Sequence, residues 1–185
     1  MKAHWAWAAK AVLLVVAGGV LAACTSDDVK PEPCPRLLVP FDSAKLTRFP
    51  AGAAGRTVVD VLHEEEFSSW NYGCKYDVDD DTGIGEIAAE VAVDIASSRG
   101  ETNAAGVADF EYFIAITDSN KTLLERKTFP VRVEYPEGVP QVVWRVEKPH
   151  RLSLPVKPGI NGYNYLIYIG LVMTREEMDF RRKNR

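Results

Sequence analysis

The chain has 185 residues, with 22 basic and 26 acidic side chains, a formal net charge of −4 and 46% hydrophobic residues. Such an acidic balance disfavours broad binding to nucleic acid or to an anionic membrane surface, and the length suits one domain plus a processing segment.

Residues 1–10 carry Lys2 and Lys10 and no acid. From Ala11 to Ala23 the chain is an unbroken run of Ala, Val, Leu and Gly, thirteen residues long. A bilayer-spanning helix needs roughly 20, so the run reads as the core of a signal peptide rather than a permanent span. It ends in Leu21-Ala22-Ala23-Cys24, which resembles the lipobox of bacterial lipoproteins. The resemblance implies removal of residues 1–23 and attachment of diacylglycerol to the Cys24 thiol. Two or three acyl chains make such an anchor effectively permanent. Thr25 stands where, in the Gram-negative sorting pattern, Asp favours retention in the inner membrane. The expected location is therefore the periplasmic face of the outer membrane, with the outer leaflet of the inner membrane as the alternative.

Loss of residues 1–23 leaves 162 residues with 20 basic and 26 acidic side chains, because the segment contains two lysines and no acid. Of three cysteines, Cys24 is committed to lipid, and Cys34 and Cys74 remain as an even pair in an oxidising compartment. Their disulfide would close a loop of about 40 residues and stabilise by about 4 kcal/mol in the chain-entropy model.

Residues 24–33 are polar, charged and proline-punctuated, and read as a tether. From Cys34 onward the dominant period is two, the mark of strands with one buried face. Arg36–Phe41 suits an edge strand, Asp42–Arg56 a long connection, and Thr57–Leu62 a second strand. Trp70, Tyr72, Cys74, Tyr76 and Val78 alternate with polar residues, which places Cys74 on the inward face, and Ile87, Ala89, Val91, Val93 and Ile95 repeat the device. The turn formers Asp79-Asp80-Asp81-Thr82-Gly83 join these two as an antiparallel hairpin. Ser97–Ala108 reads as a mobile loop. A second hairpin turns at Asp118-Ser119-Asn120-Lys121, with Phe110, Tyr112, Ile114 and Ile116 on one arm and Phe129, Val131, Val133 and Tyr135 on the other. Val142, Trp144 and Val146 follow, then Leu152, Leu154 and Val156 after a break at Pro149. Tyr163–Met173 is apolar on both parities, as for a central strand covered on both faces. Thr174 with Glu177 fits a capping box, and Arg181, Arg182 and Lys183 fall in the last turn of a short, partly frayed helix.

Seven or eight strands without interleaved helices indicate an all-β fold: an antiparallel β-sandwich, immunoglobulin-like and Greek-key, spanning 34–174, with a short basic C-terminal helix and tail over 175–185. A closed barrel is the alternative. The Cys34-Pro35-Arg36 opening, the Gly73-Cys74-Lys75-Tyr76 strand and the Gly170-Leu171-Val172-Met173-Thr174 exit resemble uncharacterised β-rich lipoproteins of Gram-negative envelopes. That resemblance implies no particular chemistry.

Candidate sites are few. Asp77, Asp79, Asp80 and Asp81 invite a Ca²⁺ reading, but Thr82 and Ala88 stand where an EF-hand needs Gly and Glu, so a solvated acidic turn fits better. His63 and His150 have no metal-motif neighbours and are assigned to the surface. A Ser/His/Asp arrangement from His63 with Ser68 or Ser69 rests on no motif. Trp70, Trp144 and several tyrosines are expected to fill the core, with Tyr168, off the main parity, as a possible contact, together with Arg181, Arg182 and Lys183. No catalytic residue, metal or cofactor is expected. The reading is a non-catalytic scaffold or accessory subunit, membrane-attached through Cys24 and docking on another envelope protein. A binding module for envelope glycan or lipid is the first alternative, and a hydrolase with an unrecognised site the second.

Overall fold

A computed structural model describes residues 32–52 and 57–184. Nine strands and one α-helix follow in order: β1 Arg36–Leu38, β2 Lys45–Arg48, β3 His63–Val78, β4 Gly85–Arg99, β5 Val107–Asp118, β6 Leu123–Glu134, β7 Gln141–Arg145, β8 His150–Val156, β9 Tyr165–Leu171 and α1 Arg175–Lys183. They form two packed sheets. One has the order β1-β9-β5-β6; the other has β2-β3-β4, with β7 and β8 both pairing with β4.

β7 and β8 are two parts of one interrupted strand. β7 pairs with Asp94–Ser98 and β8 with Gly85–Val91 of β4, and Val146–Pro149 lies between them. The central strands follow the β-branched alternation of the sequence. Ile87, Ala89, Val91, Val93 and Ile95 are all buried on β4, facing Tyr112, Ile114 and Ile116 of β5 and Ile167 and Ile169 of β9. Burying each of the large aliphatic side chains contributes about 1.5–3 kcal/mol. The consecutive strands β4 and β5 lie in opposite sheets, as do β8 and β9, and β4 pairs with β8 while β5 pairs with β9. This crossed pair of connections is the Greek-key core of an immunoglobulin-like sandwich.

β9 is central and covered on both faces. Ile167 and Ile169 face the core, Leu166 is buried on the other side, and any side chain at Gly170 would collide with Ser43 and Phe113. At the far edge of the same sheet, Glu125 and Lys127 of β6 stand opposite the core residues Ile116 and Ile114 and pair with each other at 2.7 Å. Charges on the inward parity of an exposed edge discourage a further strand from adding there.

Several sequence expectations need correction. β1 is an edge strand, but it runs parallel to β9, so the sandwich is not wholly antiparallel. The stretch 42–56 is not a plain connection: Phe41–Ser43 forms a 3₁₀ turn and Lys45–Arg48 is β2. Thr57–Leu62 is not a strand. Asp60 accepts from both the backbone N–H and the hydroxyl of Thr57, which curls Val58–Asp60 into another 3₁₀ turn. β4 runs on to Arg99, so the loop is confined to 100–106. There the buried Asn103 accepts from the N–H groups of Gly106 and Val107 and donates to the Val107 carbonyl. The helix α1 begins as expected, with reciprocal Thr174–Glu177 capping bonds. Among the described residues no helix is long and apolar enough to cross a membrane.

Candidate functional site

Cys34 and Cys74 form a disulfide, with 5.8 Å between their Cα atoms. Cys34 immediately precedes β1 in one sheet and Cys74 lies on the inward parity of β3 in the other, so the bond ties the sheets together. Hydrogen bonds extend this clamp. Tyr72 Oη donates to the Pro35 carbonyl at 2.8 Å, Tyr76 Oη donates to the Pro33 carbonyl at 2.7 Å, and the Gly162 N–H donates to Tyr76 Oη at 2.8 Å. The backbone at Pro33 passes so close to Gly162 that a Cβ there would overlap the carbonyl oxygen. Burial pushes the Tyr72 phenol up to about 12, with the neighbouring Tyr76 adding to it, so the ring stays a donor. Cys24 lies outside the described residues.

Two of the C-terminal cations, Arg181 and Arg182, have partners within the fold. The Arg181 guanidinium lies 4.3 Å over the Phe41 ring, and Arg182 Nε is 3.0 Å from an Asp42 carboxylate oxygen. Arg48 Nε pairs with Glu177 at 3.0 Å, and Phe49 meets Phe180 edge-on at 4.9 Å, so α1 is fastened along β2. Arg181 and Arg182 are therefore not free cations; Lys183, at the end of the helix, is exposed. Tyr168 is half-buried on the outer parity of β9, opposite Leu38 and Ala115.

His63 is not on the surface. A bulge between Phe67 and Ser69 reverses the parity of β3, so His63, Glu65 and Phe67 face inward before it and Tyr72, Cys74 and Tyr76 face inward after it. His63 and Glu65 are 2% and 1% exposed, which makes them core residues. Glu65 Oε1 accepts from His63 Nδ1 at 2.7 Å and from Ser97 Oγ at 3.1 Å, while Ser97 meets Tyr135 Oη at 2.6 Å. Ser97 has one proton and directs it to Glu65, so Tyr135 is the donor in the last bond. Burial pushes the Tyr135 phenol up. The other Glu65 oxygen is buried without a hydrogen-bond partner. The order Tyr135, Ser97, Glu65, His63 puts the carboxylate between hydroxyl and imidazole, whereas nucleophilic catalysis needs the imidazole there. The group has the chemistry of a core polar network.

His150 lies between the sheets at their open side. Tyr112 Oη hydrogen-bonds to His150 Nε2, and the imidazole is 4.0 Å from the Phe129 ring, with Trp144 5.7 Å from Tyr112. Burial lowers the His150 pKa and raises that of Tyr112 to about 12, so a neutral imidazole accepts from a protonated phenol. Neither Ser68 nor Ser69 approaches a histidine through a hydrogen bond; both bond to Asp94.

A shallow furrow runs over the outer face of the β3–β4 sheet. One part, of about 750 Å³, includes Ser69, Asn71, Ala92, Asp94, Arg145 and Pro149; an adjoining part, of about 550 Å³, shares Asn71, Ala92 and Pro149 and adds Gly73, Lys75, Ala88 and Glu90. Small residues on neighbouring strands make its floor, and the β7–β8 break bounds it. Arg145 binds Asp94 through two nitrogens at 2.8 and 2.9 Å, which holds the Asp94 carboxyl below its ordinary range. In the acidic turn, Asp79 accepts from the Thr82 N–H and hydroxyl, both at 2.8 Å. Among the described residues no group of three or more His, Cys, Asp or Glu is placed to hold a metal ion.

No family model matches the chain, and no curated relative does. Among solved structures it is similar to the variable (V) domain of the Streptococcus agalactiae AgI/II polypeptide BspA, at 12% identity over 94% of this chain and 93% of that domain, with a TM-score of 0.20.

Proposed function

We propose that the protein is an envelope lipoprotein: a lipid on Cys24, a tether over 24–33, and a non-catalytic sandwich that docks on another envelope protein at the periplasmic face of the outer membrane. The observation that carries this reading is the Cys34–Cys74 disulfide. It leaves Cys24 as the unpaired member of three cysteines, and it fits a compartment where disulfides persist. It also places a covalent clamp where a tethered domain would meet its leash, so that a pull from the membrane passes to β3 instead of peeling the three-residue β1.

The test is crosslinking in whole cells followed by purification of the lipidated protein. A reproducible envelope partner, lost from the membrane fraction together with a Cys24→Ala variant, is the expected result. Release of neither protein by that variant, or recovery of no partner, would count against the reading.

A second reading, a module for an envelope glycan, draws on the furrow over β3 and β4, where Asn71, Lys75 and Glu90 offer donors and acceptors above a floor of small residues. Isothermal titration with envelope glycan fragments, using Asn71→Ala as the control, tests it.

A further inference from the structure

The strand register brings a particular set of loops to one end of the sandwich. Val78 pairs with Gly85, Gly85 with Val156, Thr117 with Leu123 and Asp118 with Tyr165, so the 79–84, 118–122 and 157–164 connections all lie there. The two sheets are joined at this end by a 2.7 Å bond from Tyr165 Oη to the Pro155 carbonyl. Gly83 approaches Pro158 closely enough to bring the first and third loops into contact.

This end carries large apolar side chains that face solvent: Ile84 at 59% exposure, Tyr163 at 73%, Leu123 at 59% and Leu124 at 53%. Burial in the core explains none of them. Elsewhere Val59 and Val139 are exposed at the opposite end, Trp70 and Val143 on β3 and β7, and Phe41 lies under Arg181. The described chain also begins at the end that bears Ile84 and Tyr163. Pro33 is held there by Tyr76, which in turn binds Gly162, next to Tyr163. Only seven residues, 25–31, lie between Cys24 and Glu32. A chain that short spans at most about 28 Å, roughly the thickness of a bilayer core.

We propose that this end of the sandwich rests on the membrane, with Ile84, Tyr163, Leu123 and Leu124 inserted into the interfacial zone of the leaflet that holds the lipid. The inference deepens the lipoprotein reading and rests on it. Tyrosine suits the headgroup level, with an apolar ring and a polar tip, while isoleucine and leucine prefer the acyl boundary. The charge of the surface selects its lipid. Asp79, Asp80, Asp81 and Asp118 outnumber Lys121 and Lys157, so contact with a zwitterionic phospholipid surface is favoured over a strongly anionic one. The domain then stands upright on a short leash, and the furrow, midway along β3 and β4, stays in the aqueous periplasm.

The test uses the full lipidated protein in phosphatidylethanolamine–phosphatidylcholine vesicles, with nitroxide labels on Ile84→Cys, Tyr163→Cys and, at the opposite end, Glu137→Cys. Mass spectrometry of each sample reports the lipid. The ratio of oxygen to nickel-chelate accessibility is expected to be severalfold higher at 84 and 163 than at 137. In an Ile84→Asp/Tyr163→Asp variant, a label on Leu124→Cys should lose that shielding while the thermal midpoint stays unchanged, since the replaced side chains are exposed. An unlipidated Cys24 would overturn the anchor and the orientation together. A lipidated protein whose labels at 84 and 163 are as open to nickel as that at 137 would overturn the orientation alone. Shielding of those labels from both reagents would show a protein cover and overturn it too.

Discussion

Glu65 and His63 face each other inside the sandwich across 2.7 Å, on a strand whose outward parity they would occupy but for one inserted residue. Breaking a buried pair leaves an uncompensated polar group, while replacing both members by apolar side chains is far milder. His63→Ala alone is therefore expected to destabilise by about 3–5 kcal/mol. His63→Leu/Glu65→Leu should cost much less than the sum of the two single changes. Urea unfolding of the three variants checks this; additive costs would show that the pair is not coupled.

The disulfide clamp is open to chemical test. Untreated protein lipidated at Cys24 should show no free thiol, and reduction should lower stability by about 4 kcal/mol in the chain-entropy model for a sequence separation of 40. Tyr76→Phe removes both the bond to Pro33 and the bond from Gly162, so it should lower the midpoint further in the reduced protein. Thiol counting and denaturant titration with and without reductant measure both effects, and two free thiols in the untreated sample would contradict the clamp.

Acid should loosen the side of the sandwich at His150. Its folded pKa lies below the ordinary 6.5 because burial disfavours the imidazolium. In the unfolded chain the ring takes up its proton nearer 6.5, so the unfolded state binds more protons between the two values. The contribution is fully present above about 6.5 and is lost as pH falls from there through the folded value. Unfolding midpoints between pH 7.5 and 5 should fall with a slope that His150→Gln flattens; an unchanged slope would remove His150 as the cause.

The C-terminal helix depends on its cap. Thr174→Ala should cost about 1 kcal/mol, since the hydroxyl accepts from the Glu177 N–H. Glu177→Ala should cost more than a cap alone, because Glu177 also pairs with Arg48 on β2. Thermal unfolding followed by circular dichroism compares them, and equal losses would show that the Arg48 contact contributes nothing.

Much of the architecture was legible in the chain because the central strands are buried on a strict alternate parity. Ile87 to Ile95 and Phe110 to Ile116 repeat every second residue, and turn formers mark each hairpin. The cysteine pair was readable only with Cys24 set aside by its resemblance to a lipobox, and the helix was readable from its cap. β2 was not readable, because Lys45–Arg48 is short and owes its pairing to β3. Thr57–Leu62 looked like a strand because it is rich in valine, yet the local Thr57–Asp60 bonds bend it into a turn.

By itself the sequence determined the alternation that makes two sheets, the two tight hairpins, the Thr174 cap and the pairing of Cys34 with Cys74. These depend on neighbouring residues or on a count. Only the tertiary structure decided what depends on register between distant strands. The bulge after Phe67 turned His63 and Glu65 from surface residues into the core, and the docking of α1 gave Arg181 and Arg182 partners at Phe41 and Asp42. The crossed pairing of β4 with β8 and β5 with β9 gathered Ile84, Tyr163, Leu123 and Leu124 at the end where the described chain begins. A one-residue shift in a strand reverses every side chain beyond it, and no local pattern carries that information.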